Sequence, residues 1–164
     1  MKPLLTLPLL AGCALTAAQL DPPLAQLVRW QTATPGALAE EPVLAPCPAE
    51  NPACATLHLL RGQACLSLAT AARAPGAACP GPAQAARLAC AAEGYTNALA
   101  LGAQPAATLA ENAALALLCR AELLPAPEAL PLARRAATLA AQAEAARATA
   151  LTRWSTQLQQ RLAP

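Results

Sequence analysis

The side chains available for a core are almost all alanine and leucine, and this limits the fold more than any other feature. Alanine supplies nearly a third of the 164 residues, phenylalanine is absent, and the aromatic residues are Trp30, Tyr95 and Trp154. Alanine and leucine are the strongest helix formers. Small side chains let helices approach closely but bury little apolar area per residue. The composition therefore predicts an all-α fold whose thin core would gain from covalent cross-links.

Prolines and glycines divide the chain into segments whose apolar residues recur at helical spacing. Segment 22–52 is predicted to hold a short helix, which Asp21-Pro22 begins, and then an irregular proline-rich loop over 35–52. A helical domain is predicted over 53–162, with helices near 53–73, 82–101, 105–123 and 128–162. Within the last predicted helix, the composition of residues 136–150 is compatible either with a close-packed, buried helix or with a solvated one. The predicted fold is a small array of antiparallel helical hairpins with four to five helices, held by disulfides.

The first 13 residues have the layout of an export signal. The apolar run 4–10 follows the cation Lys2, and it is too short for a membrane span, which needs roughly 20 apolar residues. It ends in Leu-Ala-Gly-Cys at 10–13, which resembles the lipobox of bacterial lipoproteins: a leucine, two small residues and the cysteine that accepts the lipid. The alternative is a soluble protein in which this run has no targeting role.

The resemblance to lipoproteins implies that the protein is located in the cell envelope. Residues 1–12 would be removed as a signal peptide, Cys13 would carry lipid, and residues 13–21 would form a tether. The membrane would then be one partner, through the lipid anchor. In such lipoproteins an aspartate after the cysteine often signals inner-membrane retention. Ala14 stands there in this chain, which favours the outer membrane, facing the periplasm.

Six cysteines follow Cys13. An even number of cysteines in an exported chain indicates disulfides, so three are predicted. A metal site would need close cysteine pairs with histidine nearby, and the sequence has no C-x-x-C motif. Two registers for a helical hairpin remain open. One pairs Cys65 with Cys90, and the other pairs Cys54 with Cys90 and Cys65 with Cys79. The first is favoured, and the full set of bonds is then Cys65–Cys90, Cys47–Cys54 and Cys79–Cys119.

Small residues and one aromatic recur in the helix predicted over 82–101. Ala91, Tyr95 and Ala98 follow the pattern Ala-x3-aromatic-x2-Ala, which resembles the second helix of a tetratricopeptide repeat. Residues 60–64 are similar to the first helix, with Gly62 facing Ala91, although the gap between the two is more than twice the repeat's. Together with the lipobox, this also resembles the helical lipoproteins that accompany periplasmic TRAP-type transporters, which implies a periplasmic protein partner.

No constellation of catalytic residues stands out. The single histidine, His58, lies between two leucines and is interpreted as a core or boundary residue. Ser67 and Ser155 lack the glycines of a nucleophile elbow, and Glu111 fits a capping box with Thr108. No metal or other cofactor is predicted, and the scattered arginines do not form a basic patch for nucleic acid.

The predicted function is that of a lipid-anchored periplasmic protein, a non-enzymatic interaction or scaffold module. The alternative is a carrier that binds a small apolar ligand between helices. A carrier should show an apolar cavity of roughly 300 Å³ or more, and a scaffold should instead show a concave or flat face with exposed leucine, tryptophan and arginine. An enzyme, the third hypothesis, would need His58 or a pair of carboxylates in one cleft.

Overall fold

The computed structural model describes residues 21–44 and 46–163, and within them the secondary structure is helical, without strands. The elements in chain order are α1 (Pro22–Trp30), α2 (Pro35–Glu40), α3 (Pro52–Ala71), a 3-10 turn (Pro82–Gln84), α4 (Ala85–Ala100), α5 (Ala106–Ala121), α6 (Ala126–Ala140) and α7 (Ala145–Leu162). This confirms the all-α prediction, but the described chain holds seven α-helices where four to five were predicted. Cys13 lies outside the described residues. None of the helices within them is both long and apolar enough to cross a membrane.

The helices from α3 to α7 form an array in which each packs against the next along the chain. Both α1 and α2 pack against α3, and α7 also contacts α5. The largest buried cluster extends from α3 to α7, and most of its members are small, among them the fully buried Ala91, Ala98, Ala113, Ala114, Ala133 and Ala136. This is the array of helical hairpins with an alanine-rich core that the composition predicts.

Two glycines allow α3 and α4 to approach closely. A Cβ atom at Gly94 would lie 2.7 Å from the Cα of Gly62 and 2.8 Å from the carbonyl oxygen of His58. A Cβ atom at Gly62 would lie 3.0 Å from the backbone nitrogen of Tyr95. The prediction that Gly62 faces Ala91 is therefore wrong by about one helical turn, because the nearest backbone across the interface belongs to Gly94 and Tyr95.

The stretch predicted as an irregular loop, 35–52, begins with the short helix α2. Pro35 is its first residue, and the Thr34 hydroxyl accepts a hydrogen bond from the Ala37 N–H at 3.3 Å. The loop prediction is wrong here because proline at the first helical position starts a helix as readily as it interrupts one. Leu38 of α2 is buried in a cluster with Trp30 and Leu57.

The predicted last helix, 128–162, is two helices, α6 and α7, separated by a turn at 141–144. The turn contains neither glycine nor proline, so the usual sequence signal for a break is missing. Folding back lets the fully buried Ala133 and Ala136 of α6 share one cluster with Leu151 and Leu158 of α7. A continuous helix would leave one of these faces in water, so tertiary packing decides the break.

Three disulfides cross-link the described part of the chain. They join Cys47 to Cys54, Cys65 to Cys90, and Cys79 to Cys119, with Cα–Cα distances of 5.5, 5.9 and 5.3 Å. These are the three pairs that the sequence analysis favours. The first closes the proline-rich loop, the second joins α3 to α4, and the third ties the α3–α4 connection to α5.

Candidate functional site

An open groove lies where α1 meets the beginning of α3, and its volume is about 720 Å³. It is lined by side chains of α1, of the proline-rich loop and of the first turns of α3: Asp21, Leu24, Leu27, Pro48, Glu50, Asn51, Pro52, Ala53 and Thr56. A neighbouring cavity of about 250 Å³ shares Asp21, Pro48 and Asn51 with it. The concave surface at this end of the molecule is therefore mostly apolar and continuous, and we name it the N-terminal groove.

The rim of the N-terminal groove is formed by two helix caps that bind each other. Asp21 caps α1 by accepting a hydrogen bond from the Leu24 N–H at 3.1 Å. Asn51 caps α3 by accepting one from the Ala53 N–H at 3.0 Å, and its amide donates to the Asp21 carboxylate. The same residues that start the two helices thus hold their first turns side by side.

The groove lies between α1 and the first turns of α3, and the proline-rich loop forms its remaining wall. A disulfide ties this loop to α3. Cys47 lies in the loop and bonds to Cys54, a fully buried residue in the first turn of α3. The two cysteines are only seven positions apart in the chain, so Pro48 and Glu50 have little freedom to move away from the helix. The covalent link therefore gives this irregular segment a defined position beside α1.

Behind the groove, α1 is fastened by the carboxylate of Glu41. It accepts hydrogen bonds from the Trp30 indole N–H at 2.8 Å, from Arg29 at 2.8 Å and from the Gln26 amide at 3.1 Å. The Trp30 hydrogen bond is the main reason that the pKa of Glu41 lies below its usual value. Gln26 is fully buried, and its amide oxygen accepts from the Leu44 N–H at 2.9 Å. Sequence reasoning missed this network, because nothing in the chain marks Glu41 as different from Glu40.

Two large apolar side chains on α1 remain exposed: Leu24, which lines the groove, and Val28, one helical turn further along. Leu24 keeps 39% of its surface in water and Val28 keeps 46%. They are four residues apart and therefore share one helix face. The titratable side chains that line the groove are the carboxylates of Asp21 and Glu50, with no basic residue among the lining. The site thus combines an apolar floor with an acidic rim.

The residues considered for catalysis are dispersed. Ser155 is buried, and its hydroxyl donates to the carbonyl oxygen of Ala133 at 2.7 Å, which ties α7 to α6. The capping box of Thr108 and Glu111 is wrong, because α5 begins at Ala106 without a side-chain cap. Glu111 instead lies 3.4 Å from Arg147. Over residues 21–44 and 46–163, no group of three or more His, Cys, Asp or Glu side chains is arranged to hold a metal ion.

His58 is half-buried on α3, and we expect it to make the fold less stable in mild acid. Burial lowers its pKa below the usual 6.5; Glu93 opposes that shift and Arg61 adds to it. The folded state disfavours the charged imidazole of His58. The fold is therefore fully stable above the pKa that His58 has in the unfolded chain, and it loses stability as the pH falls below about 6.5. The thermal midpoint should therefore drop between about pH 7.5 and pH 5.5, and it should drop less in His58→Gln. An equal drop in both proteins would rule out His58 as the source.

Comparison with known proteins found no family model, no curated protein and no solved structure that matches this chain. The resemblances to lipoproteins and to tetratricopeptide repeats therefore rest on the residues quoted for them. What distinguishes the described part of the chain is its own geometry: an alanine-rich helical array, three disulfides and an apolar groove at the N-terminal end.

Proposed function

We propose that this protein is a non-enzymatic interaction module, held at the cell envelope by a lipid on Cys13, that binds a partner protein in the N-terminal groove. The observation that carries the proposal is the groove itself, which is open and mostly apolar and is lined by the exposed Leu24, with the exposed Val28 one turn away on the same helix. Exposed apolar patches of this kind are typical of protein-binding surfaces. The lipobox at 10–13 supports the anchor, and Ala14 favours the outer membrane, facing the periplasm.

The groove suits a partner segment that carries an apolar side chain next to a cation. The apolar floor would bury the first, and the carboxylates of Asp21 and Glu50 at the rim would attract the second. Residues 13–20 can reach at most about 28 Å when extended, at roughly 3.5 Å per residue. An anchor at Cys13 would therefore keep the groove close to the membrane, so the partner would be another envelope or periplasmic protein.

A photo-crosslinking amino acid placed in the groove tests this proposal. Thr56 is exposed in the groove lining, and Arg153 is exposed on α7 and outside that lining. We expect a discrete crosslinked protein in native cells with the probe at 56 but not at 153. Leu24→Asp should abolish the product, because it places a charge on the apolar floor. The proposal fails if position 56 gives no product, or if both positions give the same one.

The alternative, a carrier for a small apolar ligand, is supported by the size of the groove. Its volume of about 720 Å³ lies within the range of roughly 300–1,000 Å³ that is typical of small-molecule pockets. However, ligand sites bury most of their ligand, whereas this groove is open along one side. Native mass spectrometry of the protein from its own host distinguishes the two. A stoichiometric small molecule that Leu24→Asp removes would favour the carrier.

A further inference from the structure

A second cavity, of about 270 Å³, lies over the Cys65–Cys90 disulfide. It is a partly open cleft lined by α2, α3 and α4, and none of its lining residues belongs to the N-terminal groove. Its charged lining residues are Arg61, Arg87 and Glu40. The lining itself carries two guanidinium groups and one carboxylate, a net charge of +1, around a space that suits a small anion and is below the roughly 300 Å³ of a drug-sized pocket.

Arg61 is short of hydrogen-bond partners. Its side chain keeps only 19% of its surface exposed, and the carboxylate of Glu93 lies 3.7 Å away, too far for a hydrogen bond. Its Nε atom is shielded from water and has no partner. A shielded guanidinium that lacks acceptors is costly, and an acceptor that reaches its terminal nitrogens from the cavity would offset part of that cost.

The disulfide places the second arginine on the opposite side of the bridge. Arg61 precedes Cys65 by four residues on α3, and Arg87 precedes Cys90 by three on α4. Because the two helices form an antiparallel hairpin, the arginines lie on opposite sides of the disulfide, about 10 Å apart along the helix axes. Arg87 donates one N–H to Gln84 at 2.9 Å. A guanidinium has five N–H donors, so others remain for a ligand.

We propose that this cavity binds a small anionic molecule through its carboxylate or phosphate oxygens. Arg61 is the principal binding residue, because the guanidinium fork matches two oxygens of one oxyanion. Arg87 binds from the other end of the cavity, so a molecule with an anionic group at each end fits best. Glu40 is exposed at the cavity and selects against ligands with large negative charge. This inference goes beyond the groove and does not depend on what binds there.

Titration of the purified, oxidised protein with inorganic phosphate, acetate and succinate tests the site. Each probe is added at constant ionic strength, with chloride as the balancing anion. Binding is followed by calorimetry and by the NMR signal of the Arg61 Nε–H group. We expect saturable binding of at least one probe and a shift of that signal. Saturation by phosphate alone would identify a phosphate ligand, and saturation by the carboxylates alone would identify a carboxylate ligand.

Matched variants separate the site from the general effect of positive charge. Arg61→Gln should weaken binding about tenfold or more, because it removes charge-assisted hydrogen bonds. Arg87→Gln should weaken it less, and Arg153→Gln, an exposed change on α7, should leave it unchanged. Circular dichroism melting shows that each variant is folded. The proposal is overturned if no probe saturates, or if Arg153→Gln weakens binding as much as Arg61→Gln.

Discussion

Replacing Cys79 and Cys119 together by alanine is expected to lower the free energy of unfolding by about 4 kcal/mol. This disulfide closes a loop of 40 residues, the largest of the three described loops. Without the bond, the unfolded chain can adopt more conformations, and its higher entropy favours unfolding. A domain is typically stable by only about 5–15 kcal/mol, and the core here is built mainly of alanine. The loss should therefore be a large share of the total.

Urea unfolding measures this change, and the disulfide of the proline-rich loop provides the control. Cys47 and Cys54 close a loop of seven residues, so replacing both should cost about 2 kcal/mol. The Cys79–Cys119 variant should therefore unfold at distinctly lower urea than the Cys47–Cys54 variant. If both variants unfold at the same concentration as the parent, the helical array is stable without these staples.

Gly94→Ala is expected to destabilise the fold by roughly 2 kcal/mol, although alanine normally strengthens a helix by about 1 kcal/mol over glycine. The new Cβ atom would lie 2.7 Å from the backbone of Gly62 and 2.8 Å from the carbonyl oxygen of His58. Backbone atoms cannot rotate out of the way as a side chain can, so α3 and α4 must separate. That separation would loosen the interface that the Cys65–Cys90 disulfide spans.

Chemical denaturation of two glycine variants isolates the close contact from helix propensity. Gly81→Ala is the control, because no atom lies within 4 Å of a Cβ atom there and its φ of −74° suits any residue. It should unfold at the same denaturant concentration as the parent, or slightly above it. A Gly94→Ala protein that is as stable as the parent would show that the two helices have room to adjust.

Local sequence signals predicted the parts of the fold that local chemistry controls. Asp21-Pro22 marks the start of α1, and alanine with leucine marks the helices that follow. The same signal, Thr34-Pro35, begins α2, but the prolines after it made the stretch resemble a loop. The break between α6 and α7 has no local signal, because it depends on which buried faces meet. Local sequence does not contain that information.

The candidate site was less predictable than the fold. Its rim depends on the contact between Asp21 and Asn51, which are 30 residues apart. Its support depends on Glu41 accepting from Trp30 and Gln26, and no motif links these residues. The exposure of Leu24 is a property of the folded surface rather than of the apolar spacing that predicted the helix. Sites that distant segments build in this way become visible only once the chain is folded.

The intact mass of the protein purified from its native host tests most directly whether this chain is an exported, lipid-anchored, disulfide-bonded helical module. We predict a chain that begins at Cys13, carries the added mass of acyl chains and lacks the six hydrogens that three disulfides remove. An uncut chain that retains Met1, with an unmodified Cys13 and free thiols at the other cysteines, would contradict both the anchor and the cross-linked fold.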